Sequence, residues 1–176
     1  MNWTEREIGR CLARGVFASK ALVLVPECSW PGSECDVLVV TTDLRVVEVE
    51  VKSSRADLRA DARKDKWFHA RNWHDGPGVT RQPREWPRRV WKHYYAMPET
   101  LWVPGIMDGM PAASGVLLGR PSPDGGLYLR CERRAKPCRD AERLTTEQAL
   151  DVARLANLRM WDAYTEIRRL SERPRA

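Results

Sequence analysis

The chain has 176 residues, a length that fits one domain with a substantial buried core. Charged residues make up 31% and hydrophobic residues 43%, and no apolar run approaches the roughly 20 residues that a bilayer-spanning helix needs. The N-terminus carries acidic residues early and lacks a signal-peptide core, so we expect a cytoplasmic protein with no membrane partner. Lysine and arginine outnumber acidic residues 30 to 24, and this basic balance favours a polyanion such as nucleic acid.

The first predicted element is a helix that begins after Thr4 and runs to about Ala18. Thr4 and Glu7 have the spacing of a capping box, in which the two side chains bond the free amides of the first turn. Ile8 and Leu12 follow at helical spacing. The simplest role for Glu7 is therefore that of a cap.

Three apolar runs follow the first helix. Residues 21–25 predict a strand that ends at Pro26. Residues 37–40 and 46–51 are rich in β-branched side chains and are joined by a short polar link, which predicts a β-hairpin.

This hairpin gathers acidic side chains. Glu34 and Asp36 are two residues apart, as are Glu48, Glu50 and Lys52, and side chains two apart on a strand share a face. Carboxylates packed together repel one another, and burial forces them to protonate or to pair with a cation. Mg²⁺ or Mn²⁺ bound through carboxylate oxygens would relieve that cost. The alternative is an edge hairpin whose solvent face is charged.

After the hairpin the pattern changes to that of a helix. Ser53 and Ser54 are candidate N-caps, and the helix is predicted to run past Leu58 to about Ala70. Its first turn follows the strand that carries Lys52, so its N-terminal amides would favour a phosphate near the acids. Five basic side chains add positive charge here: Arg55, Arg59, Arg63, Lys64 and Lys66.

Two acids on this predicted helix, Asp57 and Asp61, lie four residues apart on one face. One interpretation pairs them with the neighbouring basic residues. The other makes them supports of the acidic site on the hairpin.

Residues 71–89 have no apolar period and contain three prolines and two tryptophans, which predicts a loop. Arginines interleaved with tryptophans suit nucleic acid, through phosphate contacts and base stacking, although an ordinary surface loop is an alternative. His69 and His74 are weaker candidates for metal ligands. The loop and its end supply three further candidates for nucleic-acid binding: Arg81, Arg84 and Arg88.

The rest of the chain predicts three strands and a final helix. Residues 90–97 form a strand, and residues 115–119 and 127–130 form a second hairpin around a strong turn signal. A cap at Thr145 opens a helix that runs to about Leu170 and is expected to pack on the sheet. We expect one domain over residues 1–176, with a core at about 4–120 and the last hairpin and helix at about 115–170.

The five cysteines include two pairs with the same spacing. Cys28 and Cys35 are separated by six residues, as are Cys131 and Cys138. Paired ligands of structural zinc sites are usually separated by about two to four residues, so free thiols are favoured over a zinc site with four cysteines.

The hairpin motif resembles the signature of the PD-(D/E)xK nuclease superfamily. Asp36 is followed after thirteen residues by Glu50-Val51-Lys52, and Cys35 stands where the name of the signature has proline. Longer strings resemble the MmcB-like DNA-repair proteins and related phage proteins of that superfamily, over about residues 4–120. These strings are residues 34–36, residues 48–61, Lys66-Trp67 and residues 93–99.

The resemblance implies a restriction-endonuclease-like fold, with an α-β-β-β-α-β core and a mixed sheet flanked by helices. It also implies a metal-dependent DNA endonuclease or repair nuclease. In that reaction Asp36, Glu50 and the carbonyl of Val51 would bind Mg²⁺ or Mn²⁺. Lys52 would assist the attacking water and stabilise charge on the phosphate.

The family also places an acid on its first helix, and this makes Glu7 a further catalytic candidate, with Glu5 as the alternative. DNA is the expected partner, and the oligomeric state is open between a monomer and a homodimer. A binding module that keeps the fold without turnover is the second hypothesis. The expected supporting residues of the site are Glu34, Glu48, Ser53, Asp57 and Asp61.

Overall fold

The computed structural model describes residues 4–69, 81–123 and 125–172. His74, the side chain of Glu5 and part of the predicted loop lie outside the described residues. In chain order the elements are α1 (Glu5–Cys11), β1 (Ala21–Cys28), β2 (Cys35–Thr41), β3 (Val46–Val51), α2 (Arg55–Asp61), β4 (Lys92–Pro98), β5 (Gly115–Pro121), β6 (Leu127–Arg133) and α3 (Thr146–Ser171).

The six strands form one mixed sheet in the order β1-β2-β3-β4-β5-β6. β3 pairs with β4 and β4 with β5 in parallel, while the other three pairs are antiparallel. A parallel step needs a crossover connection, and the segment that contains α2 connects β3 to β4. This architecture confirms the predicted mixed sheet flanked by helices.

The two faces of the sheet have different coverings. On one face, here called the α1 face, Val49 packs in a cluster with Ile8 of α1 and Leu12, which follows it. Because side chains alternate along a strand, Glu48 and Glu50 lie on the opposite face, here called the site face.

The helix after β3 is shorter than the sequence predicted. α2 ends at Asp61 rather than near Ala70, and a 3₁₀ turn follows at Asp65–Trp67. The chain then forms an isolated bridge between Phe68 and Pro83. A helix continued through this region would turn Lys66, five residues after Asp61, away from the face that carries Asp61, whereas the observed chain pairs Lys66 with Glu48 and Glu50.

The last helix packs on the sheet only at its start. Ala149 and Val152 are its buried residues, and it contacts β1, an edge strand. Large apolar side chains farther along, such as Trp161 and Ile167, are exposed. The prediction that α3 packs on the sheet is therefore right for its first three turns, through Ala156, and wrong for the remainder. No helix in the described ranges has both the length and the apolar character needed to cross a bilayer.

Candidate functional site: an acid–lysine cluster

The hairpin register brings Asp36 and Glu50 together. β2 and β3 pair Val37 with Val49 as the last pair of their ladder, and Asp36 and Glu50 are the next residues on the two strands, close enough for the charge of Glu50 to raise the pKa of Asp36. The backbone amide of Val51 donates a hydrogen bond of 2.6 Å to Asp36 Oδ2, which joins the start of β2 to the end of β3. The structure thus places these two acids together on the site face, as the sequence predicted.

Glu50 is 1% exposed, and lysines bind both of its carboxylate oxygens. Lys52 and Lys64 donate to Oε2 at 2.8 and 3.3 Å, and Lys66 donates to Oε1 at 2.7 Å. Burial would raise the pKa of Glu50, but the attraction of Lys66 and Lys52 outweighs burial and holds this pKa below its usual value. Glu50 is therefore ionised at neutral pH.

Asp61 is a second fully buried acid and holds Lys52 from the other side. Its Oδ1 lies 3.0 Å from Lys52 Nζ and 2.9 Å from Lys64 Nζ. Its Oδ2 accepts hydrogen bonds from the Tyr95 hydroxyl at 2.9 Å and from Trp67 Nε1 at 3.2 Å. Oδ2 thus has two hydrogen-bond donors, while Oδ1, among the described residues, is held by ion-pair contacts with the two ammonium groups and not by a hydrogen bond, and these contacts position Lys52.

Glu48 completes this arrangement through Lys66, whose ammonium lies 2.7 Å from Glu48 Oε1. Burial raises the pKa of Glu48 to about 7 although Lys66 opposes the shift. His93 Nε2 lies 3.8 Å from Glu48 Oε1, and burial holds the pKa of His93 well below its usual value. Among the described residues, neither Glu48 Oε2 nor His93 Nε2 has a hydrogen-bond partner. The acid–lysine cluster consists of Glu48, Glu50, Asp61, Lys52, Lys64 and Lys66.

Asp36 is the neighbouring acid that these lysines leave unpaired. Within the described part of the chain, no lysine or arginine forms an ion pair with it. Burial and the charge of Glu50 raise the pKa of Asp36, so its ionised form would gain from a further cation. Carboxylate oxygens are the donors that Mg²⁺ and Mn²⁺ prefer. Asp36 and Glu50 fit such an ion, provided that Glu50 exchanges one of its ammonium partners.

The lysines also separate the acids from one another. In residues 4–69, 81–123 and 125–172, no group of three or more histidine, cysteine, aspartate or glutamate side chains is arranged to hold a metal ion. The acids point toward ammonium groups that lie between them, as with Lys66 between Glu48 and Glu50. A metal ion at this site would thus have to compete with a lysine.

Glu7 lies away from the cluster. It belongs to α1, which packs through Ile8 on the α1 face, whereas Glu50 lies on the site face. Glu7 Oε2 accepts a hydrogen bond of 2.8 Å from the Thr4 amide, and the Thr4 bonds lower the pKa of Glu7. The structure corrects the catalytic prediction for Glu7, because the other side of the sheet is out of reach, and confirms its capping role.

Three expected supporting residues also lie outside the cluster. Glu34 is exposed just before β2. The Ser53 amide donates to Asp57 Oδ2 at 3.3 Å, and the Asp57 amide donates to Ser54 Oγ at 3.1 Å, so Asp57 caps α2 instead of bracing the acids. Of the expected supporting residues, the structure brings two into the cluster: Glu48 and Asp61.

The predicted nucleic-acid-binding residues divide into three groups. Those on or just after α2 are exposed: Arg55, Arg59 and Arg63. Lys64 is half exposed and Lys66 is buried, and both turn toward the acids.

The third group, Arg81, Arg84 and Arg88, lies after the crossover. Arg81 pairs with Asp65 at 2.6 Å. Arg84 and Arg88 line a groove of about 560 Å³ between residues 83–90 and 138–144, which Trp30 also lines.

This groove adjoins the lysine segment. The Arg84 amide donates to the Trp67 carbonyl at 2.7 Å, one residue after Lys66. Arg84 Nε is buried and has no hydrogen-bond partner among the described residues. Trp86 also lines the groove, so aromatic rings and guanidinium groups stand together there, as the loop sequence suggested.

The cysteines do not assemble a zinc site. Cys28 and Cys35 pair across β1 and β2, where Cys35 Sγ donates to the Cys28 carbonyl at 3.1 Å. Cys131 lies on β6, the strand at the opposite edge of the sheet. All five cysteines are free thiols. The Cys138 amide donates to the Trp91 carbonyl just before β4, two strands away from β6, so Cys131 and Cys138 do not form a pair of ligands and the alternative of a four-cysteine site is wrong.

Sequence reasoning missed two residues of the site, His93 and Tyr95. They stand opposite Glu48 and Glu50 in the parallel register of β3 and β4. Strand alternation already put these two aromatic residues on one face, and that was the available signal. Alternation alone does not show that β4 lies beside β3, where Glu48 and Glu50 are.

Comparisons with known proteins bear on the fold alone. No family model matches the chain, and a search of curated proteins finds no match. A solved structure of SPO1766, a protein of unknown function from Silicibacter pomeroyi, is similar with a TM-score of 0.53 and 20% identity. The similarity covers 98% of this chain and 97% of that one. What the two proteins share is therefore the backbone fold.

Proposed function

We propose that this protein is a metal-dependent nuclease that hydrolyses phosphodiester bonds in DNA. The observation that carries the proposal is the proximity of Asp36 to Glu50, where Asp36 accepts from the Val51 amide and Lys52 Nζ lies 2.8 Å from Glu50. Phosphodiester cleavage needs a positioned water and neutralisation of the charge that develops on the phosphate. Two adjacent carboxylates and a fixed ammonium group supply those requirements.

Asp36, Glu50 and the carbonyl of Val51 would hold Mg²⁺ or Mn²⁺. When bound, the ion supplies Lewis-acid charge and lowers the pKa of a coordinated water. Lys52 has three N–H donors, two of which face Glu50 and Asp61. In the proposed reaction the third would orient a water or donate to a phosphate oxygen.

DNA would approach from the side of α2. Lys64 is half exposed above Glu50, and Arg55, Arg59 and Arg63 extend the positive charge along the helix and its end. Such side chains bind phosphates without reading base sequence. The groove with Trp86 offers a surface on which bases of a displaced strand would stack. DNA repair or phage DNA processing is the setting suggested by the sequence resemblance.

A second candidate is a nucleic-acid-binding module without turnover. The observation that favours it is that Glu50 already has three lysine partners, so the cluster satisfies its charges without a metal ion. In this alternative the cluster is a structural ion network, and only the exposed arginines act on DNA.

The two candidates are separated by a cleavage assay on supercoiled plasmid and on single-stranded circular DNA. Wild type and Asp36→Asn are compared in Mg²⁺, in Mn²⁺ and in EDTA. The nuclease proposal expects metal-dependent cutting that is lost in the variant and in EDTA. Intact DNA with wild type in both metals, together with salt-sensitive DNA binding, would favour the binding module.

A further inference from the structure

The C-terminal half of α3 presents an unusual amount of apolar surface. Of the ten exposed large hydrophobic side chains among the described residues, eight lie on α3. Trp161 and Ile167 are both 58% exposed, and Leu170 is 56% exposed. Single exposed apolar residues are common, but a contiguous group on one element marks an interaction surface.

These side chains continue the face that anchors the helix. Val152 is buried against the sheet, and Met160, Ala163 and Ile167 follow on the same side at spacings of three and four residues. Tyr164 lies beside them, with its ring 6.0 Å from that of Trp161. The apolar stripe of α3 thus continues beyond the part that the sheet covers. Among the described residues, no element covers its C-terminal part.

We propose that this face pairs with α3 of a second copy, antiparallel about a two-fold axis near residues 162–163. Arg159 and Glu166 flank the face on one edge, seven residues apart and with opposite charges. An antiparallel two-fold pairing sets Arg159 of each copy opposite Glu166 of the other. Among the described residues Glu166 has no ion pair of its own.

The charge of α3 argues for its own copy over a lipid surface. Membrane-surface helices carry an excess of lysine and arginine on their polar face. α3 has four acidic and four basic residues and is therefore balanced. They are Glu147, Asp151, Asp162, Glu166, Arg154, Arg159, Arg168 and Arg169.

The available surface is enough for a dimer. A specific interface needs about 1,000 Å² in total, or about 500 Å² from each copy. A fully buried aromatic side chain contributes about 150–250 Å², so a half-exposed one still offers on the order of 100 Å². Half-exposed side chains of similar size on this face, with the two charged residues at its edge, reach the required area: Met160, Tyr164, Ile167, Leu170, Arg159 and Glu166. Ala163 in the middle lets the two helices approach closely.

The test is sedimentation velocity of the full chain over a range of concentrations. We expect a dimer for wild type and a monomer for Tyr164→Ser, because Tyr164 lies beside Met160 and Ile167 and is 57% exposed. Tyr128→Ser is the matched control, because Tyr128 is 57% exposed on β6, and it should leave the dimer intact.

A charge exchange tests the antiparallel pairing itself. Arg159→Glu and Glu166→Arg should each raise the dimer dissociation constant by about tenfold, and the double variant should restore it. Arg159 also donates to the Glu27 carbonyl at 3.1 Å, and the single Arg159→Glu and double variants share the loss of that bond. A wild type that is monomeric at every concentration, including one that binds anionic vesicles, would overturn the proposal. So would a dimer that Tyr164→Ser and both single charge variants leave unchanged.

Discussion

Lys66 Nζ lies 2.7 Å from Glu50 Oε1, and both side chains are buried. An ammonium group therefore occupies one of the two oxygens that the proposed metal site would use. Under the nuclease proposal, Lys66 and the metal ion compete for Glu50, and the lysine keeps the buried acids neutralised in the metal-free protein.

The first prediction concerns the removal of this ammonium group. Lys66→Met keeps the side-chain length but leaves Glu48 and Glu50 with fewer cations, and breaking a buried pair costs about 3–5 kcal/mol of unfolding free energy. Mg²⁺ should raise the melting temperature of this variant more than that of wild type. Lys20→Met, at an exposed position, is the control and should behave like wild type. Equal stability of Lys66→Met and wild type would show that the ion pairs contribute nothing.

The second prediction concerns the hydroxyl group that anchors Asp61. Tyr95→Phe removes the bond from the Tyr95 hydroxyl to Asp61 Oδ2, and the loss of a hydrogen bond to a buried charge costs about 1.5–3 kcal/mol. Urea denaturation measures the difference in unfolding free energy. Tyr128→Phe, at an exposed ring on β6, should change stability very little. The same small change for both variants would speak against the anchoring role.

The third prediction is a dependence of stability on pH that is due to Glu48. Its pKa is raised by burial to about 7 in the folded protein, from an ordinary value of 4.5. The folded state thus holds a proton that the unfolded state has already lost, so the contribution of Glu48 is fully present below pH 4.5 and is lost as pH rises toward 7. The unfolding free energy of wild type, minus that of Glu48→Gln, should fall by up to about 3 kcal/mol over this range. A difference that stays constant or grows with pH would contradict the burial argument.

The fourth prediction concerns the exposed arginines. Replacing Arg55, Arg59 and Arg63 with glutamine should weaken DNA binding and reduce its salt dependence, by about 0.9 in the logarithmic slope for each phosphate that is no longer neutralised. Fluorescence anisotropy at several salt concentrations measures both effects. Arg10→Gln and Arg14→Gln, on and next to α1 across the sheet, form the control pair. If the control pair weakens binding as much as the three α2 variants, the DNA surface lies elsewhere.

The hairpin and its acids were predictable because they depend on local pattern. A period of two fixes which side chains share a face, and the short link between β2 and β3 fixes their register. That is why Asp36 and Glu50 could be placed together from the sequence.

The lysine partners were not predictable, because they depend on where a helix stops. The sequence predicted that α2 would extend to about Ala70. A helix of that length would have turned Lys66 away from the acids. In the structure α2 ends at Asp61, and tertiary ion pairs override local helix propensity. The exposed end of α3 was missed for a related reason, since helical periodicity does not show where the sheet ends beneath it.

The catalytic role predicted for Glu7 was wrong because the same residue also fitted the role of a helix cap. A capping box and a helix-borne metal ligand both need an acid in the first turn, and the family resemblance, not a local pattern, favoured Glu7 as the ligand. The packing of Ile8 on the α1 face decides for the cap.

The most direct test of the proposed function compares two isosteric variants in the plasmid cleavage assay. Glu50→Gln removes a charge at the centre of the acid–lysine cluster, while Glu7→Gln removes one on the other side of the sheet, and circular dichroism checks that both variants are folded. We predict metal-dependent cutting by wild type and by Glu7→Gln, and a loss of at least about a hundredfold in Glu50→Gln, since the loss of one charge-stabilising group typically costs that much. Undiminished cutting by folded Glu50→Gln would contradict the account.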